Sequence, residues 1–181
     1  MDNFIPLEQK TWKPFVVEDL FNIKIGKPVI GNTVDKNSGK YPYVTRKETN
    51  NGIDGFIDYD EEYLNKEFPV ITIGAETAKP FVQNFPFFTG VKVNIMSPKK
   101  KLSRYTLLFI AQVLEKQKSN YSYAFAMISS RLRKVKIQLP VNELGEPDFE
   151  YMEAYIKNIF AEKLQSYIDK KFADNYNQRE G

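Results

Sequence analysis

The sequence contains no cysteine and no histidine. Zinc sites built from thiolates and imidazoles therefore cannot form. Nor can a cysteine nucleophile, a Ser-His-Asp triad or a histidine general base. A carboxylate-bound magnesium ion remains open to this composition. Without cysteine there is no disulfide framework, which agrees with a cytoplasmic protein. Long apolar runs are lacking too: no stretch approaches the roughly 20 residues needed to span a bilayer. The opening MDNFIPLEQKTWKPF has no basic start followed by an apolar segment, so no secretion signal is expected.

The chain has 181 residues, the length of one domain with room for an appended helix. At 42% hydrophobic it can build a real core. Much of its 11 tyrosines and 14 phenylalanines must be core, and any tyrosine beyond core needs suits a polar interface. The net charge of +3 hides an uneven distribution. Glu48–Val91 holds eight acids and two bases, whereas Lys92–Lys136 holds eleven bases and one acid, Glu115. From Ile137 onward acids lead again, nine to five. A basic block inside a nearly neutral chain suggests a polyanion footprint, and the plainer reading is a well-solvated surface.

Trp12–Gly26 reads as an anchor, a short helix and a strand, followed by the turn-rich loop GNTVDKNSGK. Tyr41–Thr45 is a short strand whose Pro42 places its start at an edge or terminus. Asn51-Gly52 and Asp54-Gly55 are turn dipeptides. Val70–Ile73 reads as a buried strand ended by Gly74, and Val91–Met96 alternates like a half-buried one. Ser103 is an N-cap for a helix over about 104–118, with Tyr105, Leu108, Ala111 and Gln112 on one side and Phe109 and Val113 adjacent. Val135–Leu139 is a strand closed by Pro140. Asp148 caps a last helix whose apolar residues, Phe149 to Phe172, keep a three-and-four spacing over roughly 36 Å. That exceeds the width of so small a domain, so part of the helix is expected to project. It either packs on its own sheet or pairs with a partner helix.

Four groups of residues are candidates for chemistry. Asn84-Phe85-Pro86-Phe87 is a faint version of an amino-methyltransferase motif, with Phe85 where the loop-shaping proline belongs and no glycine-rich cofactor loop. Asp58, Glu76 and Lys79 have nuclease-like residue types, but two residues separate Glu76 from Lys79 where one is required for a shared strand face. Tyr43–Ile53, YVTRKETNNGI, offers Thr45, Arg46, Lys47, Thr49, Asn50 and Asn51 in an irregular loop. Arginine pairs with guanine, asparagine with adenine, and lysine and threonine with the backbone, although a plain polar hairpin loop has the same composition. Asn120–Lys136, NYSYAFAMISSRLRKVK, interleaves tyrosines, serines and bases in a way that suits phosphate and sugar contact.

Several stretches, taken in order, carry a resemblance. They are Trp12-Lys13-Pro14-Phe15, Glu18-Asp19-Leu20-Phe21 and Ile25-Gly26-Lys27, then Gly39–Thr45 with Asn50–Ile53, Ile71-Thr72-Ile73 and Phe85-Pro86-Phe87. Arg131-Leu132, Ile137–Pro140 and Glu146–Glu153 complete the series. Over about residues 12 to 170 the chain resembles the target-recognition domains of type I restriction–modification specificity subunits, and the related domains of fused restriction–methylation enzymes. It departs from the family's pattern at Gly74–Pro80 and at Gly90. The resemblance implies an α/β (α+β) fold: a twisted, mainly antiparallel, partly curled sheet with flanking helices and a long C-terminal spacer helix. Residues 1–147 would form the DNA-binding domain, and 148–181 the spacer helix and tail.

By the same resemblance, the loops at Thr45–Asn51 and Ser122–Arg131, including Tyr123, would read bases of double-stranded DNA. Lys79, Lys92, Arg133 and Lys134 would hold phosphates. The chain itself would be non-catalytic and free of cofactors. S-adenosylmethionine, Mg²⁺ and ATP would belong to methyltransferase and nuclease or translocase partners. Ile156, Phe160, Leu164, Tyr167 and Ile168 would carry a partner-helix contact that makes the chain a homodimer. Two rival expectations stand beside this one. One is a nuclease or methyltransferase with degenerate motifs; the other is an interaction or inhibitor module that binds the methyltransferase but not DNA.

Overall fold

A continuous apolar run such as Val70–Ile73 needs cover on both faces of its sheet, and the fold is arranged around that need. The structure, a computed structural model, describes residues 5–116 and 126–177, with side chains as far as residue 172. The chain runs β1 (Trp12–Val16), α1 (Val17–Leu20), β2 (Phe21–Ile25), β3 (Tyr41–Val44), β4 (Ile53–Ile57), β5 (Val70–Gly74), β6 (Pro80–Gln83), β7 (Phe88–Thr89) and β8 (Val93–Pro98). It continues as α2 (Arg104–Glu115), α3 (Ser129–Lys134), β9 (Lys136–Pro140) and α4 (Phe149–Asn177). The central sheet is antiparallel in the order β2-β8-β5-β6, and all five residues of β5 are buried. Ile71 and Ile73 point into a large core shared with α2, β9 and the start of α4. Val70 points into a second core with Val44, Phe87, Val93 and Ile95, beneath the three-stranded sheet β4-β3-β7. A two-stranded ribbon, β1-β9, ties the opening of the chain to the strand that precedes α4.

The helix caps follow the sequence. The Ser103 hydroxyl accepts from the Thr106 backbone N–H at 3.2 Å, and the Asp148 carboxylate accepts from that of Tyr151 at 3.0 Å. The buried face of α2 differs from the expected one. Thr106, Leu107, Phe109, Ile110, Ala111 and Leu114 are buried, while Gln112 is exposed and Tyr105 and Leu108 are half-buried. The helix packs on β6 on one side and α4 on the other, so its apolar arc is broader than a single stripe. Asp54-Gly55 is not a turn but lies inside β4. Gly55 has φ +148°, and a Cβ there would come within 2.4 Å of the Lys36 carbonyl oxygen, which already accepts from the Phe56 N–H. The expected turn dipeptide is thus a site of close backbone approach. β3 is the middle strand of its sheet, and Pro42 survives there because β7 pairs only with Tyr43 and Val44. The aromatic segment ends in a helix, α3, that was not expected.

α4 has 29 residues, about 44 Å of helix. Its first turns complete the main core: Tyr151, Met152 and Ile156 are buried, and Tyr155 meets Phe109 edge-on at 5.7 Å. Ile156, expected on the partner-facing stripe, is therefore a residue of the domain's own core. The core also passes across the expected boundary at residue 148. From Phe160 onward the helix leaves the domain, and Phe160, Leu164, Tyr167 and Phe172 are 55–71% exposed. Ile168 is half-buried on the same stretch.

Arg133 is also drawn into structure. Its guanidinium donates to the outward carbonyl of Ile23 at 2.5 Å, covering the free edge of β2. Replacing it with alanine is expected to destabilise the domain by about 1.5–3 kcal/mol, the range for a hydrogen bond to a charged group. Urea titration followed by circular dichroism checks this. An unchanged midpoint would show that the edge contact contributes nothing.

Candidate nucleic-acid interface

β5 ends at Gly74, and Ala75–Lys79 turn the chain into β6. The turn is closed by Ala78 N–H donating to the Gly74 carbonyl at 2.9 Å, with Ala78 at φ +50°. A Cβ on Gly74 would lie 2.9 Å from the Arg46 Cα and 2.6 Å from the Thr77 hydroxyl oxygen. Glycine is what allows the loop after β3 to lie against this turn. Glu76, its side chain only 15% exposed, accepts from two cations at once: the Arg46 guanidinium and, at 2.8 Å, Lys92 Nζ. Lys92 has φ +58°, uncommon for a non-glycine residue, and its carbonyl accepts from Ala75 N–H at 3.0 Å. The segment just before β8 is thus bound to the same turn.

A second carboxylate repeats the pattern. Asp54 accepts from Lys36 Nζ at 2.7 Å and also pairs with Lys47. Lys36 and then Lys47 hold this carboxyl below the usual carboxylate range. A depressed carboxyl contributes stability above its unfolded value and loses it as pH falls through the folded one. The clamp therefore holds at neutral pH and opens only in acid. Arg46, Lys47, Lys36, Thr45 and Thr77 line one shallow depression of about 480 Å³ together with Asp54 and Glu76. The Thr77 hydroxyl is buried and has no hydrogen-bond partner among the described residues.

The other side of the turn meets the second candidate segment. The Met127 N–H donates to the Ala75 carbonyl at 2.6 Å, and Lys79 is ion-paired with Glu115 at the end of α2. Both described stretches that flank residues 117–125 therefore abut the β5–β6 turn. Ser122 and Tyr123 lie outside the described residues. Asn94 fixes the start of α3: its amide donates to the Met127 carbonyl at 2.9 Å, and its oxygen accepts from the Ser129 hydroxyl at 2.8 Å. Arg131 donates to the Ala126 carbonyl at 2.7 Å, and Lys134 is exposed at the end of α3.

The candidate reading residues thus divide. Arg46, Lys47 and Lys92 converge around Glu76 and Asp54. Thr45 is held through its backbone, N–H to the Gly52 carbonyl at 2.8 Å. Thr49 is exposed at the loop tip. Asn50 and Asn51 are both left-handed, at φ +50° and +54°. The Asn51 amide donates to the Val82 carbonyl at 3.1 Å and to Gln83 Oε1 at 3.2 Å, while Gln83 donates back to the Asn51 carbonyl at 3.0 Å. Asn51 is exposed, and its amide also ties the loop to β6. Asn50 donates weakly to the Ile53 carbonyl, at 3.3 Å, and remains exposed. Asp58, Glu76 and Lys79 are not brought together: Asp58 is exposed, and the other two have separate partners. Among the described residues no group of three or more acids could hold a metal ion. Lys36, Asp54 and the pairing role of Glu76 were not read from the sequence. Lys36 sits in a loop whose composition signals only turns, and its partner lies 18 positions away.

The family model described as "Type I restriction modification DNA specificity domain" matches residues 9–168. The chain belongs to this family. It is 44% identical over 162 residues to the specificity subunit S.BcgI of a type II restriction enzyme from Heyndrickxia coagulans, covering 89% of this chain and 46% of that protein. Its fold is similar to that of the type I restriction–modification S subunit from M. genitalium, with a TM-score of 0.63 at 17% identity over 97% of this chain and 47% of that one. It is also similar to the HsdS subunit from Thermoanaerobacter tengcongensis, with a TM-score of 0.56 at 17% identity over 83% and 38%. At such identity the likeness is one of fold: mixed helices and strands, open antiparallel sheets and a long C-terminal helix. As a member of the specificity-domain family, the chain spans about half the length of the relatives it matches.

Proposed function

We propose that this chain reads one half of a split DNA target for a restriction–modification enzyme. Methylation and cleavage would be carried out by other polypeptides that bring S-adenosylmethionine, Mg²⁺ and ATP. One observation carries the reading: the β5–β6 turn gathers the loop holding Arg46 and Lys47, the segment holding Lys92, and both ends flanking residues 117–125. Segments far apart in sequence thereby offer cations and hydrogen-bonding groups from one face, as base and phosphate contacts together require.

Arg46 is the base-reading candidate and Lys134 a phosphate contact. Arg46→Ala is expected to relax the preferred motif, costing about 1–3 kcal/mol of discrimination at one base pair. Lys134→Ala is expected to weaken binding to all sequences about equally. Selection from duplexes randomised over the half-site separates the two. If Arg46→Ala keeps the motif and its selectivity, the reading loop is misplaced.

The exposed stripe on α4 supplies the second half of the proposal. Pairing with a second copy through Phe160, Leu164, Tyr167 and Ile168 would cover that stripe and bring two recognition units together. Such a twofold pair would present two half-sites to DNA and dock on methyltransferase subunits. A cytoplasmic location follows from this role.

A further inference from the structure

We propose that Glu76 is a positioning residue that withholds Arg46 and Lys92 from the phosphate backbone and so sets the gap between specific and non-specific DNA binding. The inference rests on the DNA-reading function proposed above and names how that site is controlled. One carboxylate serves both cations. It is nearly buried, on a turn that is itself locked: Gly74 leaves no space against Arg46, Ala78 closes the turn, and the Ala75 N–H binds the Lys92 carbonyl. Both partner backbones are thus held against the acid, and the pairing is built in rather than a chance surface contact.

A phosphate that recruits Arg46 or Lys92 must compete with a carboxylate already in place. A base edge asks less, because a guanidinium has five N–H donors. It can keep Glu76 on one side while presenting others to guanine, whose major-groove edge accepts two hydrogen bonds. The acid therefore penalises backbone binding more than base reading, which is how a repulsive element sharpens a difference of affinities. It also fixes the direction in which the arginine fork points.

Glu76→Gln tests this in the full chain. The probes are a duplex bearing the motif selected by the wild-type chain and a duplex of equal length without it. Freeing two cations is expected to steepen the log–log salt slope of non-specific binding by about 1.8, at 0.9 per phosphate neutralised. A fourfold rise in salt then weakens the non-specific complex about 12-fold more than in the wild type. Motif preference should fall at the same time, and Glu76→Asp should restore part of it. Lys92→Gln removes a cation that Glu76 already withholds, so it is expected to keep both the motif and the non-specific salt slope of the wild type. This second variant keeps the test open if Glu76→Gln does not fold, as judged by thermal melting. Lys92→Gln with a slope shallower by about one phosphate, or Glu76→Gln with both slope and preference unchanged, would overturn the inference. A wild-type chain with no preferred motif would instead remove the DNA-reading function, and this inference with it.

Discussion

Glutamate at both Leu164 and Ile168 is expected to leave the recognition domain folded and to abolish self-association of the chain. Neither residue belongs to a buried core cluster, and Leu164 is 60% exposed. Phe160 meets Tyr105 edge-on at 5.9 Å, and beyond Phe160 α4 runs on for nearly five more turns. An exposed apolar stripe of that length marks an interface. Burial across a twofold would contribute roughly 1.5–3 kcal/mol for each Leu164 and Ile168 side chain. Every 1.4 kcal/mol is a factor of ten in affinity, so a buried charge in place of each is more than the dimer can tolerate. Sedimentation or light scattering of both forms measures this, with circular dichroism as the fold control. Ile156→Glu should behave differently and unfold the domain, because Ile156 is 9% exposed and packed in the main core. A wild-type chain that stays monomeric at high concentration, with one copy in each methyltransferase complex, would refute the dimer.

Raising salt from 50 to 200 mM is expected to weaken DNA binding about 150-fold. That follows from a log–log slope near −3.6 if about four phosphates are neutralised. The segment Lys92–Lys136 holds eleven bases, far more than four, and five of them have another position or partner in the fold. Lys99, Lys100 and Lys101 follow the Pro98 end of β8, which pairs with Phe21, whereas the candidate interface lies at the end where Gly74 pairs with Val93. Arg133 covers the edge of β2, and Lys92 shares Glu76 with Arg46. Fluorescence anisotropy across a salt series gives the slope directly. A flat response would remove the electrostatic part of the argument.

Local features were legible in the sequence. Ser103 and Asp148 sit where helices begin, because a short polar side chain before an apolar period can satisfy the first free N–H groups wherever it occurs. The β5 run reads as a buried strand, and the three-and-four spacing of α4 reads as a long helix. The order of short stretches from Trp12 to Glu153 carried the family resemblance, which the family match over residues 9–168 bears out. Each of these depends on neighbours a few positions apart.

What failed depended on distant partners. Asp54-Gly55 has the composition of a turn, yet it lies in β4 because Lys36, 18 residues earlier, brings its own backbone against it. Asn51 has the chemistry of an adenine reader, and its additional hold on Val82 and Gln83, more than 30 positions later, was not legible either. Ile156 and Leu164 are equivalent in the helical period. Only the end of the domain beneath α4 decides that the first is core and the second is surface. Composition and short-range pattern determined that this chain has no cysteine or histidine chemistry, where its two long helices and the β5 strand begin, and which family it resembles. The tertiary structure alone decided which cations gather on Glu76 and Asp54, because a charge pair is set by distance in space, and most of the residues so joined lie 16 to 30 positions apart along the chain.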